Sequence, residues 1–425
     1  MSHGACAGTG LARRRGRLAA ILILALSVMA AGLTSCTNAH QTTRTKTKAK
    51  TPSTDSSTTR PRSTEPRSTT TTAPKPAGVY AKDGPYQAGT INLALADGRR
   101  VVVWYPADRA AASQPKETFD IAGLLNPDLQ AKVPGGLRHQ IQYEIDAHPG
   151  AKPAARGPFP VVLFSHGYAG FPEQSADLTT HLARWGFVVV APDHVERSLD
   201  GLLGTAARTI AVRLTDQQVL SKSLDLTLAE NRRAGSPLEG LVDGDEVAVI
   251  GHSAGAVAAY DLAATDRRIK SFISYSVRLD RPAGPVPPRS PEVPGMVMAA
   301  TSDGIIPLAA NRNVYRRMKA PKYLVTIADA GHLVFSDICL IGRRQGGLVS
   351  LVHQIGLKIP PDLLKLAGDG CQKGDLDPRK AFPAIDHLSV AFLRSTLNVD
   401  PEPVGLDPSI AKAFPAAGIT LSHSG

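Results

Sequence analysis

One serine stands where a nucleophile can be made. Ser253 is the centre of Gly251-His252-Ser253-Ala254-Gly255, between a short β-prone run at 246–250 and a small, apolar, helix-favouring run at 256–264. Gly-x-Ser-x-Gly between a strand and a helix predicts a sharp turn that lifts the serine hydroxyl clear of a sheet. The turn leaves no room for neighbouring side chains, which accounts for Gly251 and Gly255. The Ala254 amide, at the start of the helix, is the first expected donor to a developing oxyanion. A serine hydroxyl is a weak nucleophile alone. It needs a base, and the base needs a third group to hold its tautomer. His332 supplies the base, in Asp329-Ala330-Gly331-His332 after the apolar run 323–327. Asp303 supplies the acid, in Thr301-Ser302-Asp303-Gly304 after the run 295–300.

Other residues compete for these roles. Asp280 follows the preceding strand-like run and is the second choice of acid. Asp329 is so close to His332 that it reads as a turn residue. His252 lies inside the elbow and reads as packed. His194, His353 and His387 have no flanking motif and read as bystanders. No HExxH, CxxC or carboxylate cluster points to a metal, and no glycine-rich loop is built to cradle phosphate. Neither a metal nor a cofactor is expected.

Strand-like runs at 90–96 and 99–105 flank Asp97-Gly98 as a hairpin. Residues 107–157 are rich in Pro, Gly and Ala and read as an excursion. The run 159–164 is a buried strand ending in Ser165-His166-Gly167-Tyr168. A helix over 175–185 ends at Gly186, and the next strand is 187–191. Residues 192–211 read as a loop whose Leu199, Leu202, Leu203 and Ile210 either line an apolar groove or pack ordinarily. Thr215-Asp216-Gln217-Gln218 is a capping box for a helix with Leu220, Leu224 and Leu228 on one face. Strands follow at 270–276 and 295–300. A closing helix spans 381–397, and 401–425 reads as a loosely ordered tail.

Residues 159–335 resemble the serine α/β-hydrolases related to platelet-activating-factor acetylhydrolase and the bacterial cutinase-type lipases. The matching pieces are Val161-Val162-Leu163-Phe164-Ser165-His166-Gly167, Gly186-Phe187-Val188-Val189, the Ser253 elbow, Asp303 and Gly331-His332. The dienelactone-hydrolase branch is similar in layout, but its nucleophile is usually Cys, so Ser253 favours ester hydrolysis. The resemblance implies an α/β fold, with a mostly parallel central sheet and helices on both faces. The order Ser253, Asp303, His332 agrees with it. It also implies that the loop after the third strand carries the second oxyanion donor, which here is the Tyr168 amide, made approachable by Gly167. His166 then supports that loop, and the Tyr168 ring flanks the acyl group. Residues 340–378 form a helical insertion after the base, either a lid or the cover of a sheet edge.

The amino terminus has a different character. Arg13-Arg14-Arg15-Gly16-Arg17 precedes an apolar run of fourteen residues, 18–31, too short to span a membrane comfortably and typical of a signal segment. Leu33-Thr34-Ser35-Cys36 resembles the bacterial lipobox, so Cys36 is the expected site of acylation and 1–35 the expected signal peptide. Residues 36–77 are dominated by Thr, Ser, Pro, Lys and Arg and read as a flexible tether, with 78–400 as the catalytic domain. Of the net charge of +11, residues 1–77 carry ten units. The remainder is nearly neutral, which argues against a nucleic-acid-binding face. Cys339 and Cys371 remain after export and are expected to form a disulfide.

The expected protein is therefore a lipid-anchored, cell-surface serine esterase. It would cleave a small-molecule or lipid ester through an acyl-enzyme. An acyltransferase or peptidase on the same scaffold is the alternative within enzymes. A non-catalytic envelope-binding lipoprotein is the alternative outside them.

Overall fold

The computed structural model describes residues 77–279 and 290–425. The expected signal peptide, Cys36, the tether up to residue 76 and Asp280 lie outside the described residues.

Ten strands form one sheet: β1 (Gln87–Ala94), β2 (Arg100–Ala107), β3 (His148–Pro149), β4 (Phe159–Ser165), β5 (Val188–Pro192), β6 (Val242–His252), β7 (Ile269–Tyr275), β8 (Gly295–Ala300), β9 (Lys322–Ile327) and β10 (Ile419–Ser424). Their order across the sheet is β10-β9-β8-β7-β6-β4-β5-β2-β1-β3. The run from β5 through β9 is parallel throughout. The edges are antiparallel where β2 meets β1 and β5, and where β10 meets β9. The β1–β2 connection closes with Leu95 N donating to Arg99 O at 2.9 Å, and Gly98 takes a positive φ of 90°. The turn thus spans three residues with glycine in the left-handed position, one longer than the Asp97-Gly98 signal suggested.

The strands alternate faces, as a sheet covered on both sides requires. Val162 and Phe164 of β4, Ala248 and Ile250 of β6, and Met296 and Met298 of β8 pack with Leu182 of α1 (Ala176–Arg184). Ile385, Leu388 and Phe392 join them from the closing helix. On the other face Val161, Leu163, Val247, Val249 and Val297 pack with Leu220 and Leu224 of α2 (Asp216–Arg232), Val257 and Leu262 of α3 (Ala254–Thr265) and Val314 of α4 (Leu308–Arg317). The Thr215–Gln218 capping box starts α2 as expected.

After β9 the chain forms α5 (Gly347–Gln354) and α6 (Pro361–Gly368), the expected helical insertion, and then α7 (Pro378–Thr396). The Cys339–Cys371 disulfide is present, with Cα atoms 5.1 Å apart. Three readings need correction. The excursion 107–157 contains a two-stranded sheet of Glu117–Asp120 with Gln142–Ile145. The loop read over 192–211 contains two short helices, Leu199–Leu203 and Ala206–Thr209. Residues 401–425 are not a loose tail. Ile419–Ser424 pairs along the whole of β9 and covers the edge of the parallel sheet, which would otherwise expose unpaired amides. Among the described residues no helix is long and apolar enough to cross a membrane.

Candidate active site

The elbow is built by sterics. Ser253 caps α3 with φ 58° and ψ −116°, a conformation that costs a non-glycine residue of order 1–3 kcal/mol. It persists because its surroundings leave no alternative. A β-carbon on Gly251 would sit 2.1 Å from the Gly255 carbonyl oxygen, and one on Gly255 would sit 1.9 Å from that of Ser165. Ser253 N also donates to Tyr275 O at 2.9 Å, which ties the turn to β7.

Asp303 leaves the carboxyl end of β8 and His332 follows β9. His332 Nδ1 and Asp303 Oδ2 are 2.9 Å apart, and both side chains are buried. Ser276 Oγ donates to the same Oδ2 at 2.8 Å, while the amides of Ile305 and Ile306 donate to Oδ1. Burial would raise the Asp303 carboxyl, but the hydrogen bond from His332, with those from Ile306 and Ser276, holds it below the usual range. Asp303 is thus a buried acceptor, satisfied by protein donors, that fixes the His332 proton on Nδ1. His332 Nε2 is buried and has no hydrogen-bond partner among the described residues. A buried unpartnered imidazole nitrogen is costly to keep unless it has a use.

His252 is packed, as expected, and it does more than fill space. Its Nε2 meets the His332 carbonyl at 3.0 Å, and its Nδ1 accepts from Gln174 Nε2 at 3.1 Å. Gln174 Oε1 in turn accepts from the Gly167 amide at 2.9 Å. Burial, followed by repulsion from His332, pushes the His252 imidazole down to about 3, so it is a neutral strut at pH 7. This line of bonds joins the loop after β4, the elbow and the loop of the base.

The loop after β4 has a second support. Arg197 Nη1 donates to Gly167 O at 2.9 Å and also to His166 O, and Nη2 donates to Ser165 Oγ at 2.9 Å. Arg197 Nε is shared by both oxygens of Asp216 at 3.1 Å. The His194 amide donates to His166 Nε2 at 3.1 Å, which puts the His166 proton on Nδ1, where it reaches Gly167 O at 2.8 Å. In a trans peptide the N–H points opposite to the C=O. With Gly167 O held by Arg197 and His166, the Tyr168 N–H faces away from them. Gly167 lies against the elbow, since a β-carbon there would be 3.5 Å from Ser253 Cβ. Among the described residues neither the Tyr168 nor the Ala254 amide is spent on another hydrogen bond.

This geometry can be set beside known proteins. The family model described as platelet-activating factor acetylhydrolase, isoform II, matches residues 78–201, and that described as chlorophyllase matches 150–293. No curated protein matches. The ferulic acid esterase from Streptomyces cinnamoneus is similar over 80% of this chain and 97% of its own, at 22% identity and a TM-score of 0.52. The chain has the α/β-hydrolase fold. The resemblance drawn from residues 159–335 stands, and the family models and the structural neighbour are all of carboxylic ester hydrolases, as the sequence suggested.

In this hydrolase Ser253, Asp303, His332, Tyr168 and Ala254 all lie at the carboxyl ends of the parallel strands, where open α/β sheets bind ligands. Asp329 does not join them. It takes a positive φ of 53° and donates its amide to Thr301 Oγ1, as a turn residue should. His194 is outside the acid–base pair, with Nε2 2.9 Å from Ser165 Oγ and Nδ1 2.9 Å from Asp216. His387 stacks on Tyr80, and His353 is exposed. The Tyr168 ring is 36% exposed at the mouth of the loop, and Leu199, Leu202 and Leu203 are half-buried. Sequence reasoning missed Arg197, Gln174 and Ser276. Arg197 sits four residues after Asp193 in a segment read only for its leucines, and its partners in the loop after β4 are 30 residues or more away in sequence. Among the described residues no cluster of three or more His, Cys, Asp or Glu is placed to hold a metal ion.

Proposed function

We propose that this carboxylic ester hydrolase works through a Ser253–His332–Asp303 triad and an acyl-enzyme. The observation that carries the reading is the 2.9 Å pairing of His332 Nδ1 with Asp303, which leaves Nε2 buried and without a partner among the described residues, while Ser253 is held in a strained conformation at the elbow after β6. His332 Nε2 takes the Ser253 proton as Oγ attacks the ester carbonyl. The amides of Tyr168 and Ala254 stabilise the tetrahedral oxyanion. His332 then protonates the departing alkoxide, and the same base activates water to release the acid. The imidazolium that forms in between is stabilised by Asp303, which does not itself take the proton.

The proposal extends to substrate and place. Small-molecule or lipid esters are the substrate class, and acylation at Cys36 anchors the enzyme to the cell surface, with 36–77 as the tether. The lipobox-like Leu33-Thr34-Ser35-Cys36 supports the anchor, and Cys36→Ala should move the protein out of the membrane fraction.

The deciding experiment is hydrolysis of p-nitrophenyl esters of graded chain length by the protein and by Ser253→Ala. Turnover that is lost in Ser253→Ala, together with labelling by a fluorophosphonate probe, supports the triad. Undiminished turnover in that variant sinks it.

A further inference from the structure

The insertion after the base was expected to act as a lid or to cover a sheet edge. Its contacts indicate a different use. Asp369 lies half-buried just beyond α6, two residues before Cys371. Its carboxylate accepts from backbone amides of two different loops. The His332 amide donates to Oδ1 at 2.7 Å. The Gly304 amide donates to Oδ1 at 3.3 Å and to Oδ2 at 3.1 Å. Gly304 directly follows Asp303. One side chain therefore fastens the backbone of the acid's loop to the backbone of the base.

The segment that carries Asp369 is itself fixed to the base's loop. Asp369 O accepts from the Leu333 amide at 2.9 Å, and the Leu376 amide donates to Asp329 O at 2.9 Å. Gly370, at φ 93°, approaches Gly331 so closely that a β-carbon on Gly331 would sit 2.4 Å from the Gly370 nitrogen. Cys371 is bonded to Cys339, seven residues after His332. The stretch 332–339 is thus clasped at its start by Asp369 and at its end by the disulfide.

We propose that Asp369 is a positioning residue for the triad, and that the insertion is a brace that carries it. This rests on the reading of Ser253, Asp303 and His332 given above. The loops after β8 and β9 are joined by only short runs of backbone pairing beyond the strands, so the His332–Asp303 distance depends on what holds them together. A carboxylate that accepts from both is a charge-assisted staple, stronger than a neutral hydrogen bond. It touches no reacting atom and acts through the backbone of the residues that do.

The test compares the full chain with Asp369→Ala and Asp369→Asn, and with Ser253→Ala alongside. Asp369 is half-buried at the surface, so both variants should fold. Asp369→Ala is expected to lower kcat roughly 10- to 100-fold with KM changed by less than about twofold, the signature of misplaced catalytic groups. It should also weaken or abolish the low-field proton resonance of His332 Nδ1–H. Asp369→Asn keeps an acceptor oxygen and should restore most of both. Wild-type kcat and an unchanged resonance in Asp369→Ala would overturn the proposal. So would an Asp369→Asn variant no better than Asp369→Ala. If Ser253→Ala retains turnover, the triad reading fails instead, and the resonance still decides whether Asp369 holds His332 against Asp303.

Discussion

Arg197 donates to the carbonyl oxygen of Gly167 at 2.9 Å and by doing so sets the direction of the next amide, that of Tyr168. The Arg197 side chain is buried, with its charge met by Asp216. A cation bonded to a peptide oxygen also polarises that peptide and makes its N–H a better donor. Arg197 thus orients and strengthens one half of the proposed oxyanion hole without touching substrate.

Arg197→Lys keeps the charge but loses the fork that reaches Ser165, His166 and Gly167 together. Steady-state kinetics should show kcat reduced roughly 10- to 100-fold, somewhat less than the loss of an oxyanion donor itself, with little change in KM. Wild-type kcat in a folded Arg197→Lys protein would show that the Tyr168 amide needs no such support.

Asp303 and Asp329 can be told apart by the same substitution. Asp303→Asn should lower kcat by on the order of 10⁴-fold, because the His332 proton is no longer held on Nδ1. Asp329→Asn should leave kcat within about threefold, since Asn accepts the positive φ that Asp329 adopts. The reverse ranking would transfer the acid's role to Asp329.

Gly255→Ala should cost about 3 kcal/mol of stability or prevent folding, because the new methyl would meet backbone at 1.9 Å and no flexible side chain can move away. Denaturant unfolding measures it. A loss under ~0.5 kcal/mol would mean that the elbow is not as close to β4 as described.

The neutral His252 makes stability depend on acid. Its folded value of about 3 lies below the ~6.5 of an unfolded histidine, so the unfolded chain binds the proton more readily. The contribution is complete above pH ~6.5 and is lost as pH falls from there towards 3, on the order of 1 kcal/mol per pH unit for one such group. His252→Gln cannot take up that proton. Its unfolding free energy should fall less steeply than the wild type between pH 6.5 and 4, and parallel curves would contradict the assignment.

The elbow was legible because its causes are local. Gly251 and Gly255 flank Ser253 within five residues, and the strand and helix beside them show in short apolar runs. The same holds for Asp303 and His332, each in a turn-forming stretch just past a buried strand, and for the capping box of α2. The order of the three also reflects the α/β fold that the runs imply.

What the sequence by itself could not decide was which distant groups meet. The pairing of Asp303 with His332 is itself seen only as the 2.9 Å contact across 29 residues. Arg197 meets Gly167 across 30 residues, Gln174 meets His252 across 78, and Asp369 meets Gly304 across 65. Side-chain bonds to the backbone of a remote loop leave no periodicity and no turn signature, so no local pattern announces them. The terminal strand Ile419–Ser424 was missed for a related reason. It is a short edge strand, mostly polar, and its place depends on the unpaired edge of β9 rather than on its own sequence. Local sterics and burial therefore wrote the Ser253 elbow and the sheet into the chain, while the tertiary structure alone brought together the groups that orient His332, the proposed base, and the Tyr168 amide, the proposed oxyanion donor.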